Sequence, residues 1–155
     1  MVERYHRAAE PRMNEELSHP DLYRRDDGDT VALLGMRCAS CGYVAFPRQR
    51  FGCDRCGALG ESLRDVELSS SGTLTSFATV HMHQAKSIAA PFVIGEVVLE
   101  DGPTVRATMV ESSDSAMRIG ARVAGRLVPA PSAPDAPSNK LELRFSLANR
   151  PEARA

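Results

Sequence analysis

Tryptophan is absent from this chain, and three Tyr and five Phe supply all of its aromatic rings. A protein that grips single-stranded nucleic acid by stacking needs exposed aromatic rings along a basic groove. The groove is missing too, since residues 61–155 carry ten basic groups against eleven acidic ones. No single sign of charge dominates: 19 Lys and Arg face 20 Asp and Glu, a formal net charge of -1. That balance disfavours affinity built on wrapping nucleic acid or lying on an anionic membrane. Long apolar runs are also lacking. Val31–Met36 and Pro91–Gly95 are the longest, far short of the roughly 20 residues a membrane-spanning helix needs. Met1–Glu16 is rich in Glu and Arg and has no apolar stretch, so it does not read as a signal peptide. These absences predict a soluble cytoplasmic protein. Lysine is scarce as well, with Lys86 and Lys140 against 17 Arg. Arginine suits bidentate recognition of carboxylate or phosphate, although a coding bias is the simpler reading.

Catalytic signatures are missing too. No Gly-x-Ser-x-Gly elbow and no phosphate-cradling Gly-x-x-x-x-Gly-Lys loop occurs, and no fifth cysteine is left to accept an acyl group. The isolated chain is therefore not expected to be an enzyme.

What is present falls into three regions by composition. With 155 residues, 43% of them hydrophobic, the chain suits one ordinary domain or two small modules. Residues 1–30 hold eight acids, five arginines and two prolines, and end in the polar turn Asp26-Asp27-Gly28-Asp29. They are read as an N-terminal extension, helical over Glu3–Glu10 or Asn14–Leu17, or docked on a partner. Residues 31–60 hold all four cysteines. Val31–Arg37 reads as a strand entering the first cysteine pair, and Tyr43–Phe46 as a second strand leaving it.

Residues 61–150 read as a β-barrel. Ser69-Ser70-Ser71 is taken as the linker into it. Strands are expected at Gly72–Met82, Pro91–Leu99, Thr104–Val110, Arg122–Val128 and Leu141–Leu147. In the last of these, Leu141, Leu143, Phe145 and Leu147 alternate with polar residues, the signature of one buried face. Glu100-Asp101-Gly102 marks a hairpin. Gly72, Gly95 and Gly125 are placed to ease coiling of the sheet. Pro129–Asn139 carries four of the ten prolines and reads as a stiff exposed loop. Five strands with a long first strand suit an OB-fold-like barrel, with Ser112–Ile119 as a brief helical segment between the third and fourth. The fold class is thus mainly β: a small zinc ribbon followed by a five-stranded OB-fold-like barrel.

The cysteines follow the pattern C-x2-C, eleven residues, C-x2-C, and each pair is followed by glycine, at Gly42 and Gly57. Two intervening residues let a tight turn aim both sulfurs at one ion. The glycine can take the positive φ that turns backbone N–H groups toward them. Cys38, Cys41, Cys53 and Cys56 are therefore read as a closed tetrahedral metal site, with structural zinc preferred and iron as the other candidate. Clustering within 19 residues and the lack of an export signal disfavour disulfides. Arg37, Arg48, Arg50 and Arg55 lie in the same module, opposed by Asp54. They can offset the charge of about -2 on a zinc held by four thiolates, or some can reach an anionic ligand such as a nucleotide phosphate. His81 and His83 are two residues apart on the long strand and so share a face, with Gln84 and Lys86 nearby.

The order of a short polar extension, the paired Cys-x-x-Cys ribbon with Phe46-Pro47-Arg48 between its knuckles, and a barrel opening with Gly72-Thr73-Leu74-Thr75-Ser76-Phe77 resembles one family. It is that of rubredoxin-like zinc-ribbon plus OB-fold proteins associated with acyl-CoA metabolism. The likeness continues through Pro91-Phe92-Val93-Ile94 and Leu99-Glu100-Asp101-Gly102-Pro103 and spans roughly residues 31–147. It departs at the N-terminus, where Leu22-Tyr23 stands in place of the Trp-containing helix frequent in the family. The resemblance implies a non-catalytic accessory subunit, in hetero-oligomeric complex with a thiolase-like acyl-CoA enzyme whose own chain carries the catalytic Cys and His. It further implies CoA or acyl-CoA shared with that partner. By charge and loop position Arg48, Arg50, His83 and Lys86 are the candidates to meet the CoA phosphates or the partner surface. A nucleic-acid-binding ribbon and barrel is the alternative from a different class.

Overall fold

The computed structural model describes residues 16–26, 30–84, 88–131 and 139–148. Ten strands form two sheets, and among the described residues there is no α-helix. The strands are β1 (Glu16–Leu17), β2 (Tyr23–Arg25), β3 (Val31–Cys38), β4 (Val44–Ala45), β5 (Leu63–Ser69), β6 (Ser71–Val80), β7 (Phe92–Leu99), β8 (Thr104–Thr108), β9 (Arg122–Pro129) and β10 (Lys140–Leu147).

The larger sheet runs β1-β10-β9-β6-β7-β8. Its five long strands are the five that the sequence leads one to expect, the last of them from its alternation, and they pair antiparallel. The sheet curls until its ends meet. Just past β8, Met109 bridges Phe145 of β10 in parallel, and the Val110 amide donates to the Phe145 carbonyl at 2.8 Å. This is a five-stranded OB-type barrel. Coiling brings backbone and side chains too close for a Cβ at Gly72, Gly95 and Gly125. One on Gly72 would stand 2.4 Å from the Val98 carbonyl, and one on Gly95 would stand 2.7 Å from the Met109 sulfur.

The smaller sheet is built on β3. β2 and β4 lie end to end along one edge, and β5 runs the length of the other. Strand pairing therefore carries the sheet of the cysteine module to Ser69. Only Ser70, whose carbonyl accepts the Gly125 amide at 2.9 Å, separates β5 from the first barrel strand. The three-serine linker reduces to that one buried residue.

The two sheets share one core. Tyr23, Val31, Leu33 and Leu68 from the small sheet pack with Leu74, Val93, Val97, Leu99, Met109, Met117, Val123 and Phe145 from the barrel and its loops. A second, smaller cluster of Met36, Cys38, Ala45 and Cys53 lies beneath the cysteines.

Local expectations change at four places. Glu16–Leu17 is a strand parallel to β10 rather than part of a helix, because its backbone finds a free barrel edge. The Glu3–Glu10 helix lies outside the described residues. The strand expected at Tyr43–Phe46 shortens to β4, and the helical segment at Ser112–Ile119 is a single 3-10 turn, Asp114–Ala116. The long strand stops at Val80, which pairs with Phe92 at the start of β7. His81 and His83 therefore follow the strand, and alternation does not place them on one face. Most of the proline-rich loop lies outside the described residues.

Candidate functional site

The two knuckles are built alike. In each, the residue after the second cysteine is a glycine with φ of 74°. Its amide donates back to the first cysteine's carbonyl, Gly42 to Cys38 and Gly57 to Cys53, both at 2.8 Å. A residue with a Cβ is strained in that conformation, which explains the Cys-Gly pairs. Outer bonds fix each turn further: Cys38 N–H to the Tyr43 carbonyl at 2.8 Å and Cys53 N–H to the Ala58 carbonyl at 2.9 Å.

The turns face each other. All four sulfurs lie within 4.8 Å of one another, with Cys38 Sγ to Cys56 Sγ at 3.7 Å and Cys41 Sγ to Cys53 Sγ at 3.6 Å. A tetrahedron with metal–sulfur bonds of about 2.3 Å has edges of about 3.8 Å, so the arrangement fits one ion held by Cys38, Cys41, Cys53 and Cys56. None of the four is in a disulfide. Their electrostatics favour a cation. The Cys41 backbone amide, set against the cost of burial, holds the Cys38 thiol down to about 6. The Ala58 amide draws Cys56 down, but the sulfur of Cys41, loss of hydration and the sulfurs of Cys38 and Cys53 push it up to about 12. Four clustered thiols cannot all ionise without a positive charge among them, and a metal ion supplies it. With four protein ligands no position remains for water, so such a site staples the fold and does no chemistry.

Of the residues expected near an anionic ligand, Arg48 and Arg50 come together, and His83 lies elsewhere. The Arg48 guanidinium donates to Asp65 Oδ2 at 3.2 Å and to the Asp21 carbonyl at 3.3 Å, and Arg50 lies 3.8 Å from the same Asp65 oxygen. Both line an open cleft of about 490 Å³ with Leu22, Pro47 and Phe51, and the Phe51 ring is 97% exposed. Asp65 sits on β5, in another part of the sequence, and nothing local announced it. His83 packs its ring edge-on to Phe92, centroids 5.5 Å apart, beyond the end of β6. Lys86 lies outside the described residues. Asp54, the acid expected to face the arginines, instead accepts from Gln49 at 2.7 Å.

A larger cleft, about 700 Å³, opens where the 3-10 turn crosses the barrel end, lined by Glu111, Ser113, Arg118, Arg122 and Leu147 among others. Glu111 Oε1 accepts the Leu147 amide at 3.2 Å, while Oε2 is buried without a partner. No motif in the sequence marked this place. The outer face of β7 and β8, where OB-folds commonly bind oligonucleotides, shows Ile94, Glu96, Val98, Thr104, Arg106 and Thr108. It has no aromatic ring, and its one arginine is paired to Glu96 at 3.0 Å. That face offers nothing for bases to stack on.

Comparison with known proteins agrees with this architecture. Residues 65–128 match the family model described as the C-terminal OB-fold domain of ChsH2. A DUF35 domain-containing scaffold protein of Methanocaldococcus jannaschii is 30% identical over 96 residues, 61% of this chain and 67% of that protein. One of the same description from Methanothermobacter thermautotrophicus is 32% identical over 93 residues, 59% of this chain and 68% of that protein. Among solved structures, a chain of the Ltp2–ChsH2(DUF35) aldolase superposes with a TM-score of 0.60 at 23% identity, covering 76% of this chain and 85% of that one. Ribbon sheet, OB-type barrel and the extent of these matches together place the chain in the DUF35 family of ChsH2-like OB-fold proteins.

Proposed function

We propose that this protein is a non-catalytic accessory subunit that scaffolds a thiolase-like acyl-CoA enzyme in the cytoplasm and helps to form its CoA site. The observation that carries the reading is the likeness, over two thirds of their length, to two relatives described as scaffold proteins. The chemistry is consistent with it. Among the described residues the one cluster able to hold a metal is a closed set of four cysteines, which suits structural zinc and leaves catalysis to another chain. In this reading Arg48 and Arg50, held side by side over Asp65, together with His83 and Lys86, approach the CoA phosphates or the partner surface.

The test is native co-purification. The tagged chain is isolated gently from its own cells, and what accompanies it is identified by mass spectrometry. A thiolase-like chain in near-stoichiometric amount is the expected result, and the purified chain alone shows no thiolytic turnover. An aldolase in its place would keep the accessory role and change the partner class. Turnover by the chain without a partner would overturn the proposal.

A further inference from the structure

Arg37 and Arg64 are directly opposed across the antiparallel pair β3–β5. Residues so placed have Cβ atoms about 5 Å apart, and like charges there repel. Both side chains are exposed. Neither makes an ion pair or side-chain hydrogen bond among the described residues, whereas nearby Arg24, Arg48 and Arg50 each have a carboxylate.

The metal site does not account for the pair. Side chains alternate along a strand, so Arg37 points to the face opposite Cys38. The packing agrees. Met36, Cys38, Ala45 and Leu63 belong to the cluster under the cysteines. Leu33, Leu68, Val44 and Val66, which share the arginines' face by register, pack into the core common to both sheets. The two guanidiniums thus stand at the open rim of the barrel-facing side, turned away from the thiolates whose charge they could have balanced.

We infer that Arg37 and Arg64 form a binding site for a phosphate-type oxyanion. Two guanidiniums at this spacing can donate together to one phosphoryl group, in charge-assisted bonds that convert their repulsion into a shared contact. The anion could be a free phosphate or the phosphate of a nucleotide cofactor. Where the anion belongs to a nucleotide, the inference extends the CoA site of the proposed function to a second pair of arginines; it stands apart from the choice of partner, because it concerns this chain's own affinity.

The experiment uses the full, metal-loaded chain, at ionic strength held constant with sodium chloride. Thermal unfolding and calorimetric titration are run with inorganic pyrophosphate and with adenosine 3′,5′-bisphosphate. The wild-type Tm is expected to rise with either or both probes. A response to the bisphosphate alone identifies a nucleotide as the source, and a response to both identifies the phosphate group itself. Arg37→Glu and Arg64→Glu are expected to weaken binding about tenfold or more, the loss of one charge-assisted contact, while Arg106→Ala, whose guanidinium is held by Glu96, leaves it unchanged. Without ligand, Arg64→Glu raises the Tm, because it exchanges a repulsion for an ion pair. Arg64→Ala serves if the glutamate variant does not fold. Silence toward both probes, as expected if an acidic protein surface is the true occupant, would overturn the site. So would equal binding by wild type and both Arg64 variants. Co-purification is scored separately, so an enzyme partner can be found while this site fails, and the reverse.

Discussion

The Tyr23 phenol donates to the Leu141 carbonyl at 3.3 Å, and its ring is buried where the two sheets meet. Burial raises its pKa above the ordinary 10.0. A raised folded-state value favours the neutral phenol, so this contribution is fully present below pH 10 and is lost as pH rises through the folded value. Tyr23→Phe is expected to cost about 1 kcal/mol at neutral pH and to flatten the alkaline fall in stability, measured by urea unfolding across pH 8–12. Gly72 answers to space instead of charge. Gly72→Ala sets a methyl against the Val98 carbonyl and should cost about 1–3 kcal/mol in the same assay. At the metal site, Cys53→Ser is expected to abolish stoichiometric metal in elemental analysis, since three thiolates no longer close the tetrahedron. The cysteines were legible because ligand spacing is local. Asp65 was not, because its role depends on a strand pairing that brings it to Arg48 and Arg50.

At the scale of the element, β3 joins everything. It pairs with three strands, and its apolar residues are buried on both faces. One face contributes Leu33 to the common core, and the other contributes Met36 and Cys38 to the cysteine cluster. Leu33→Ala, at a side chain with no exposed area, should cost about 2–5 kcal/mol. Calorimetry should still show a single transition, because the core it damages belongs to both sheets. Two separated transitions would show that the sheets fold independently. The barrel strands were readable from strand-forming residues, the hairpin signal at Glu100-Asp101-Gly102 and, for Leu141–Leu147, alternation, because these signals are local. β5 was not among the expected strands: Leu63–Ser69 shows no sustained alternation, and its pairing with β3 rather than with the barrel is a tertiary choice. The histidines show the opposite error. β-rich sequence continued the long strand to Met82, but the partner strand begins opposite Val80, and a strand without a partner does not persist.

For the whole molecule, the shared core separates stability of the barrel from stability of the knuckles. Leu74, Val93, Val97 and Phe145 pack without help from any cysteine. Removal of metal by a chelator is therefore expected to speed amide exchange over residues 38–58 while leaving β6–β10 protected. Equal loss of protection in the barrel would show that the metal holds the entire chain. Local chemistry written in the sequence marked the long first barrel strand except for its end, the four shorter barrel strands and the paired Cys-x-x-Cys-Gly knuckles, because strand-forming residues and ligand spacing act between near neighbours. Only the tertiary structure decided that β5 completes the cysteine sheet, that Glu16–Leu17 borders β10, and that Arg37 faces Arg64 with no acid between them. Each is a matter of register between distant segments, and register is chosen by the burial of whole faces rather than by any single stretch of residues.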